Sequence, residues 1–293
     1  MALSAAFHGK LLVRLCCLAV LLTAVGAQAQ GISVAPSRIL LDGRTRSATV
    51  FLSNRGNDTE TYRISLAYFQ MQENGILARV DSTVAGGDFA GEVLRYSPRR
   101  VVIPPGGSQT VRLLVRRPAD RQVDNSEFRA HLSVCSVPTV PRLLEMEENP
   151  PDNLGEDRFA VRPVASVETL VPIIVRFGRP QATVAITEIL VTPRTRTAGP
   201  MVHFTLTRGG ERSLYGNLTV THRDVRGKET QLYFGRGIAV YTPNPCRRFA
   251  ITPRESGVDL SSGRVSIEYQ ETADGGGELN ARAEIVLPQG GYR

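Results

Sequence analysis

The sequence predicts an all-β protein made of two β-sandwiches in tandem, on three observations. Short segments rich in β-branched and aromatic residues recur along the 293 residues, each bounded by Gly, Pro, Asn or Asp clusters. No segment of helical length carries apolar residues at the 3.6-residue period of a helix. The length suits two domains of roughly 150 residues. Hydrophobic residues at 42% and charged residues at 22% are ordinary for a globular chain and enough to close a core in each half. The net charge of +7 is scattered rather than clustered, which argues against a nucleic-acid surface.

Residues 1–29 read as a secretory signal peptide. Lys10 and Arg14 precede the uncharged run Leu15 to Val25, and Ala27-Gln28-Ala29 is an A-x-A site that places cleavage after Ala29. The run is shorter than the roughly 20 residues a spanning helix needs, so a cleaved signal is expected rather than an anchor. Cys16 and Cys17 leave with it. Cys135 and Cys246 remain, far apart in the chain, and are expected as two separate buried thiols.

The first half, residues 30–178, holds six short strand signals and one long one. They are Ile32–Leu41, Ser47–Ser53, Thr61–Phe69, Arg99–Ile103, Thr110–Arg116, Phe128–Val134 and Val161–Phe177. Asp42-Gly43, Asn54-Arg55-Gly56-Asn57 and Pro104-Pro105-Gly106-Gly107 supply turns. Phe128, Ala130, Leu132 and Val134 alternate, so they are expected to face a core, with His131 outward. Between the last two strands, Pro138 to Arg158 is acidic and Pro-rich, and is expected to be a functional or mobile loop. Gly178-Arg179-Pro180 ends the long strand, and so short a linker should hold the angle between the halves. The second half, residues 179–293, carries eight more strand signals from Thr183–Val191 to Ala281–Leu287.

No catalytic or metal motif stands out. There is no G-x-S-x-G, H-E-x-x-H or P-loop, and no Cys/His spacing suits zinc. Glu145, Glu147 and Glu148 lie in the acidic segment, a poor place to hold a carboxylate pair at fixed separation. No cofactor, metal or small-molecule substrate is expected, and the chain is read as a non-enzyme. Arg38 and Arg176 are the candidate functional side chains. If they meet where the sandwiches join, their planar donors suit a carboxylate, or they pair with an acid between the halves.

Four stretches resemble periplasmic pilus chaperones of the chaperone–usher pathway, in their non-prototypical branch. They are Ile32-Ser33-Val34-Ala35-Pro36-Ser37-Arg38-Ile39 with Ala48–Asn54, Tyr96–Val101 with Pro104–Arg112, Glu127–Leu132, and Val171–Gly178. The second half shares mainly Arg212-Ser213-Leu214-Tyr215-Gly216. The resemblance implies two immunoglobulin-like domains set as a boomerang, working in the periplasm. It implies pilus subunits and an outer-membrane usher as partners. It also implies donor-strand complementation, in which an edge strand is lent to an incomplete subunit sandwich. On that basis the donor strand is Val161 to Val175. Val167, Thr169, Val171, Ile173 and Val175 form its binding row, and Arg38 with Arg176 anchors the subunit's terminal carboxylate. The rival reading is a secreted β-sandwich that binds or hydrolyses carbohydrate. The absence of Trp and an aromatic content of 6% weigh against it.

Overall fold

The computed structural model describes residues 31–81, 89–117, 123–138, 166–195, 198–253, 255 and 257–288. The signal peptide, the segment from 139 to 158 and the start of the long strand at 161–165 lie outside them. Every described regular element is a β-strand.

The first sandwich packs two sheets face to face. One has the order β1 (Ile32–Ala35), β3 (Ser47–Asn54), β9 (Ser108–Val115), β7 (Leu94–Ser97). The other has the order β2 (Ile39–Leu41), β11 (Glu168–Phe177), β10 (Ser126–Val137), β4 (Glu60–Ala67), β8 (Arg100–Ile103). Alternation drives the closure. Val50 and Leu52 of β3, Val111 and Leu113 of β9, and Phe128, Leu132 and Val134 of β10 all enter one core. The single stretch expected over Ile32–Leu41 becomes β1 and β2, which pair with different sheets. β1 runs antiparallel to β3, and β2 runs parallel to β11. The break falls at Pro36, which cannot donate to a ladder. The stretch expected over Thr61–Phe69 likewise divides. β4 stops at Ala67, and β5 (Phe69–Met71) turns into a hairpin with β6 (Leu77–Arg79).

The second sandwich has a three-stranded sheet, β12 (Ala182–Thr192), β13 (Met201–Gly210), β16 (Cys246–Ile251). Its partner sheet has the order β15 (Glu229–Val240), β14 (Leu214–Arg223), β17 (Gly263–Glu271), β18 (Asn280–Leu287). Phe204, Leu206, Leu218, Val220, Ile267 and Tyr269 sit at the centre of its own core. Cys135 and Cys246 are free thiols, each only half-buried.

The chain passes between the sandwiches at Gly178, whose φ of 66° lies in the left-handed region. The turn packs tightly on Asn125, whose Oδ1 accepts from Arg179 N at 2.8 Å. A Cβ at Gly178 would meet Asn125 Oδ1 at 2.4 Å and Asn125 N at 2.8 Å. Gly178→Ala is therefore expected to cost roughly 1–3 kcal/mol through strain and displacement of Asn125. An unchanged urea midpoint would reject this.

Candidate functional site

The two faces of β11 have opposite fates. Val171, Ile173 and Val175 point into the first core, at 2%, 0% and 1% exposure. This corrects the expectation that they fill a partner's groove. Withdrawing each would forfeit roughly 1.5–3 kcal/mol of burial in this sandwich. Of the expected row, Val167 is exposed and Thr169 half-buried. Leu170, on the other face, is also exposed.

The backbone of β11 is asymmetric too. Ser136 N donates to Val167 O at 2.9 Å, so that pair is hydrogen-bonded. The register with β10 is unbroken from Glu168 to Phe177. The odd residues of β11 thus bond to β10, and the even ones turn their amides to the other side. There β2 covers only Ile173 to Val175. No described strand pairs with Glu168, Leu170 or Pro172 on that side. The N–H that Pro172 lacks would have faced this open side, so β10 loses nothing.

The second sandwich stands over the face formed by Leu40, Ile174 and their neighbours. Met71, Ile174, Ala239 and Tyr241 form a small apolar cluster there, with Leu40 and Tyr215 against it. Beside it lies a buried polar network. Arg176 Nε donates to Glu127 Oε2 at 2.9 Å, and its Nη1 donates to Gly275 O at 2.7 Å. Glu127 Oε1 accepts from Ser213 N at 3.0 Å and from Ser213 Oγ. Arg212 pairs with Glu271 in the same region, Nη2 to Oε2 at 3.0 Å. The β5–β6 hairpin adds a third tie, with Arg248 N donating to Glu73 O at 2.6 Å. The structure thus pairs Arg176 with Glu127 of its own sandwich and ties it to the second through Gly275 O, rather than leaving an open fork beside Arg38.

Arg38 differs. Its guanidinium lies 3.8 Å above the Tyr215 ring, and Nη1 donates to Tyr241 Oη at 3.0 Å. Its Nε and Nη2 are buried without a hydrogen-bond partner. Those two nitrogens form the side of the fork that matches a carboxylate bidentately. Strand register sets what lies beside it. Ile39 pairs with Ile173, so Arg38 neighbours Pro172, and Pro172 pairs with His131 of β10. His131 does point away from the first core, as its alternation requires. It is nevertheless 5% exposed, edge-to-face on Phe69 at 4.8 Å, with Nδ1 unpartnered. Burial pushes His131 down to about 4, helped by the charges of Arg129 and Arg38. Arg129 stacks 4.6 Å from the Tyr241 ring, and its fork bonds to Thr242 O and Oγ1. Burial pulls it down to about 10.

Sequence reasoning missed Glu127, Arg129, Tyr241 and Thr242 as members of this crevice. One signal was present. Glu127, Arg129, His131 and Ser133 alternate with apolar residues, and all four are buried, which requires a second covering surface.

No family model and no curated protein matches this sequence. Among solved structures, the chain is similar to the CupB2 chaperone of Pseudomonas aeruginosa at 13% identity. That match covers 87% of this chain and 100% of the other, with a TM-score of 0.43. It is also similar to the CsuC–CsuE chaperone–tip adhesion subunit complex of Acinetobacter baumannii. There the identity is 12%, the cover 88% of this chain and 100% of the other, and the TM-score 0.44. A chaperone–tip adhesin complex of CFA/I fimbriae gives 11% identity, 88% and 98% cover, and a TM-score of 0.45.

Proposed function

We propose that this protein is a periplasmic assembly chaperone for pilus subunits, which lends an edge strand to an incomplete subunit and passes it to an outer-membrane usher. The observation that carries this is the open side of β11. Among the described residues, no strand pairs with Glu168 or Leu170 on that side, and the exposed apolar side chains of Val167 and Leu170 lie beside it. An open edge flanked by apolar side chains is what strand addition uses, with backbone bonds for affinity and side chains for specificity. Arg38 fits a role as carboxylate anchor, because the bidentate side of its fork has no partner. Arg176 supports the site at a distance by fixing the sandwiches against each other. The two halves of the chain serve as two domains meeting at Gly178. The role is binding, not catalysis.

Co-purification with a co-expressed pilus subunit tests this. Leu170→Asp and Val167→Asp, separately and together, should abolish capture. Each forfeits roughly 1.5–3 kcal/mol of apolar burial in the complex and adds a charge to desolvate. Thermal melts of the free chaperone should be unchanged, since both side chains are exposed. Wild-type yield from the double variant would overturn the edge assignment.

A further inference from the structure

We infer that the outer face of the β1–β3–β9–β7 sheet is a docking surface for an anionic phospholipid membrane. Alternation decides which side chains form it. Val50, Leu52, Val111 and Leu113 enter the first core, so Thr49, Phe51, Arg112 and Leu114 point outward. Register then lines Phe51 up with Ala35 and Thr110, Arg112 with Thr49 and Ser97, and Leu114 with Ser47 and Arg95. Arg116 follows on the same side, its N donating to Val93 O beside β7. The second sandwich stands over the other sheet, at Leu40 and Ile174, so this face points away from it. The open side of β11 also belongs to the other sheet, so membrane docking neither needs nor blocks strand addition there.

Two features point to a covering partner, and a third to its class. Phe51 and Leu114 are 58% and 55% exposed, although β3 and β9 are the central strands of their sheet. Large apolar side chains held out from central strands, rather than from an edge, mark an interaction surface. Arg95, Arg112 and Arg116 are exposed around them, and no Asp or Glu occupies an outward position of these four strands. Arg112 and Arg116 make no ion pair among the described residues, and Arg95 spends only Nη1, on Leu94 O. The outer face of β17 and β18 is different, since Arg264 and Arg282 there pair with Glu284 and Glu268. Uncompensated positive charge is the complement of an anionic partner. Shape selects which anion. The remaining outward positions are Ser, Thr and Ala, so the face is a plane about 15 Å wide without walls to hold a peptide. A bilayer surface is itself a plane. Phe51 and Leu114 stand above their small neighbours and enter the headgroup boundary, while the guanidinium groups meet lipid phosphates.

The chain has no Trp, which makes the contact directly readable. Phe51→Trp puts a single fluorophore on the face. Val286→Trp, at a 67% exposed position of β18 in the second sandwich, is the control. In the full mature protein, vesicles of equal parts phosphatidylglycerol and phosphatidylcholine should shift the emission of Phe51→Trp to the blue and leave Val286→Trp unmoved. Vesicles of phosphatidylcholine alone should move neither. In co-sedimentation with the mixed vesicles, Arg95→Thr, Arg112→Thr and Arg116→Thr should each weaken binding roughly fivefold, and Arg236→Thr on the second sandwich should not. Salt at about 1 M, where screening acts within about 3 Å, should release the protein. Thermal melts should be unchanged throughout, because every substituted side chain is exposed. Failure of the wild-type protein to bind the mixed vesicles overturns the assignment. So does binding with no shift in Phe51→Trp, an equal shift in both Trp variants, or wild-type binding by the triple arginine variant. A shift of Phe51→Trp with polyglutamate but not with vesicles also overturns it, and makes the partner an acidic polypeptide.

Discussion

Glu127→Ala is expected to destabilise the protein by about 3–5 kcal/mol, the largest single-residue loss in the crevice. The Glu127 side chain is fully buried and that of Arg176 is 9% exposed. The carboxylate accepts from Arg176 Nε, Ser213 N and Ser213 Oγ at once. Alanine would strand a guanidinium that cannot shed its proton, together with a buried amide. The damage should be directed. Glu127 and Arg176 belong to the first sandwich, whereas Ser213 and Gly275 belong to the second. Each sandwich has its own core. Losing the carboxylate should therefore uncouple them, and urea unfolding should separate into two transitions. Arg176→Ala alone should cost a similar amount. The double variant should cost much less than the sum, because neither charge is then left alone. A Glu127→Ala midpoint within about 1 kcal/mol of wild type, in a single transition, would show that the pair carries no coupling.

Whether an element is legible in the sequence depends on how many of its faces are buried. Strands with one face in a core announce themselves by alternation. Ser47–Asn54 and Ser108–Val115 are placed from sequence almost to their ends. β10 and β11 are legible as strands but not in their roles, because both faces are buried and period two no longer says which face is the sandwich's own. Val171, Ile173 and Val175 look in sequence like a row to lend out. The structure keeps them in its own core and leaves Val167 and Leu170 outside. Arg38 and Arg176 stand out by type and by position at strand ends. What separates them is invisible in sequence. Glu127 stands directly across β10 from Arg176, whereas Pro172 and then His131 stand across from Arg38. Tyr241 and Thr242 come from the far half of the chain, and only the docking of two sandwiches brings them to Arg38 and Arg129.

Mild acid is expected to weaken the fold through His131, in a window that carboxylates do not share. The folded ring is pushed down to about 4 from its ordinary 6.5, first by burial and then by Arg129 and Arg38. The groups around it are Arg129 on its own strand, Arg38 beyond Pro172 and Phe69 of the hairpin, none of them an acid. The unfolded chain takes up a proton on this ring as pH falls through 6.5, while the folded chain resists until about 4. Between those values the unfolded state holds more protons, so stability falls with pH. At about 1.4 kcal/mol per unit, lowering the pH from about 7 to about 4.5 should cost about 2–3 kcal/mol. Carboxylates held low by hydrogen bonds, such as Glu168 bonded by Ser133, and Glu284 at about 2, lose their contribution only below their ordinary 4.5. Urea unfolding across this range measures the slope directly. The His131→Gln variant removes the titrating ring while keeping a polar side chain, and should flatten the curve between about pH 4.5 and 6.5. A wild-type curve already flat there, or a slope that survives in His131→Gln, would mean that the ring is not held neutral between the two arginines.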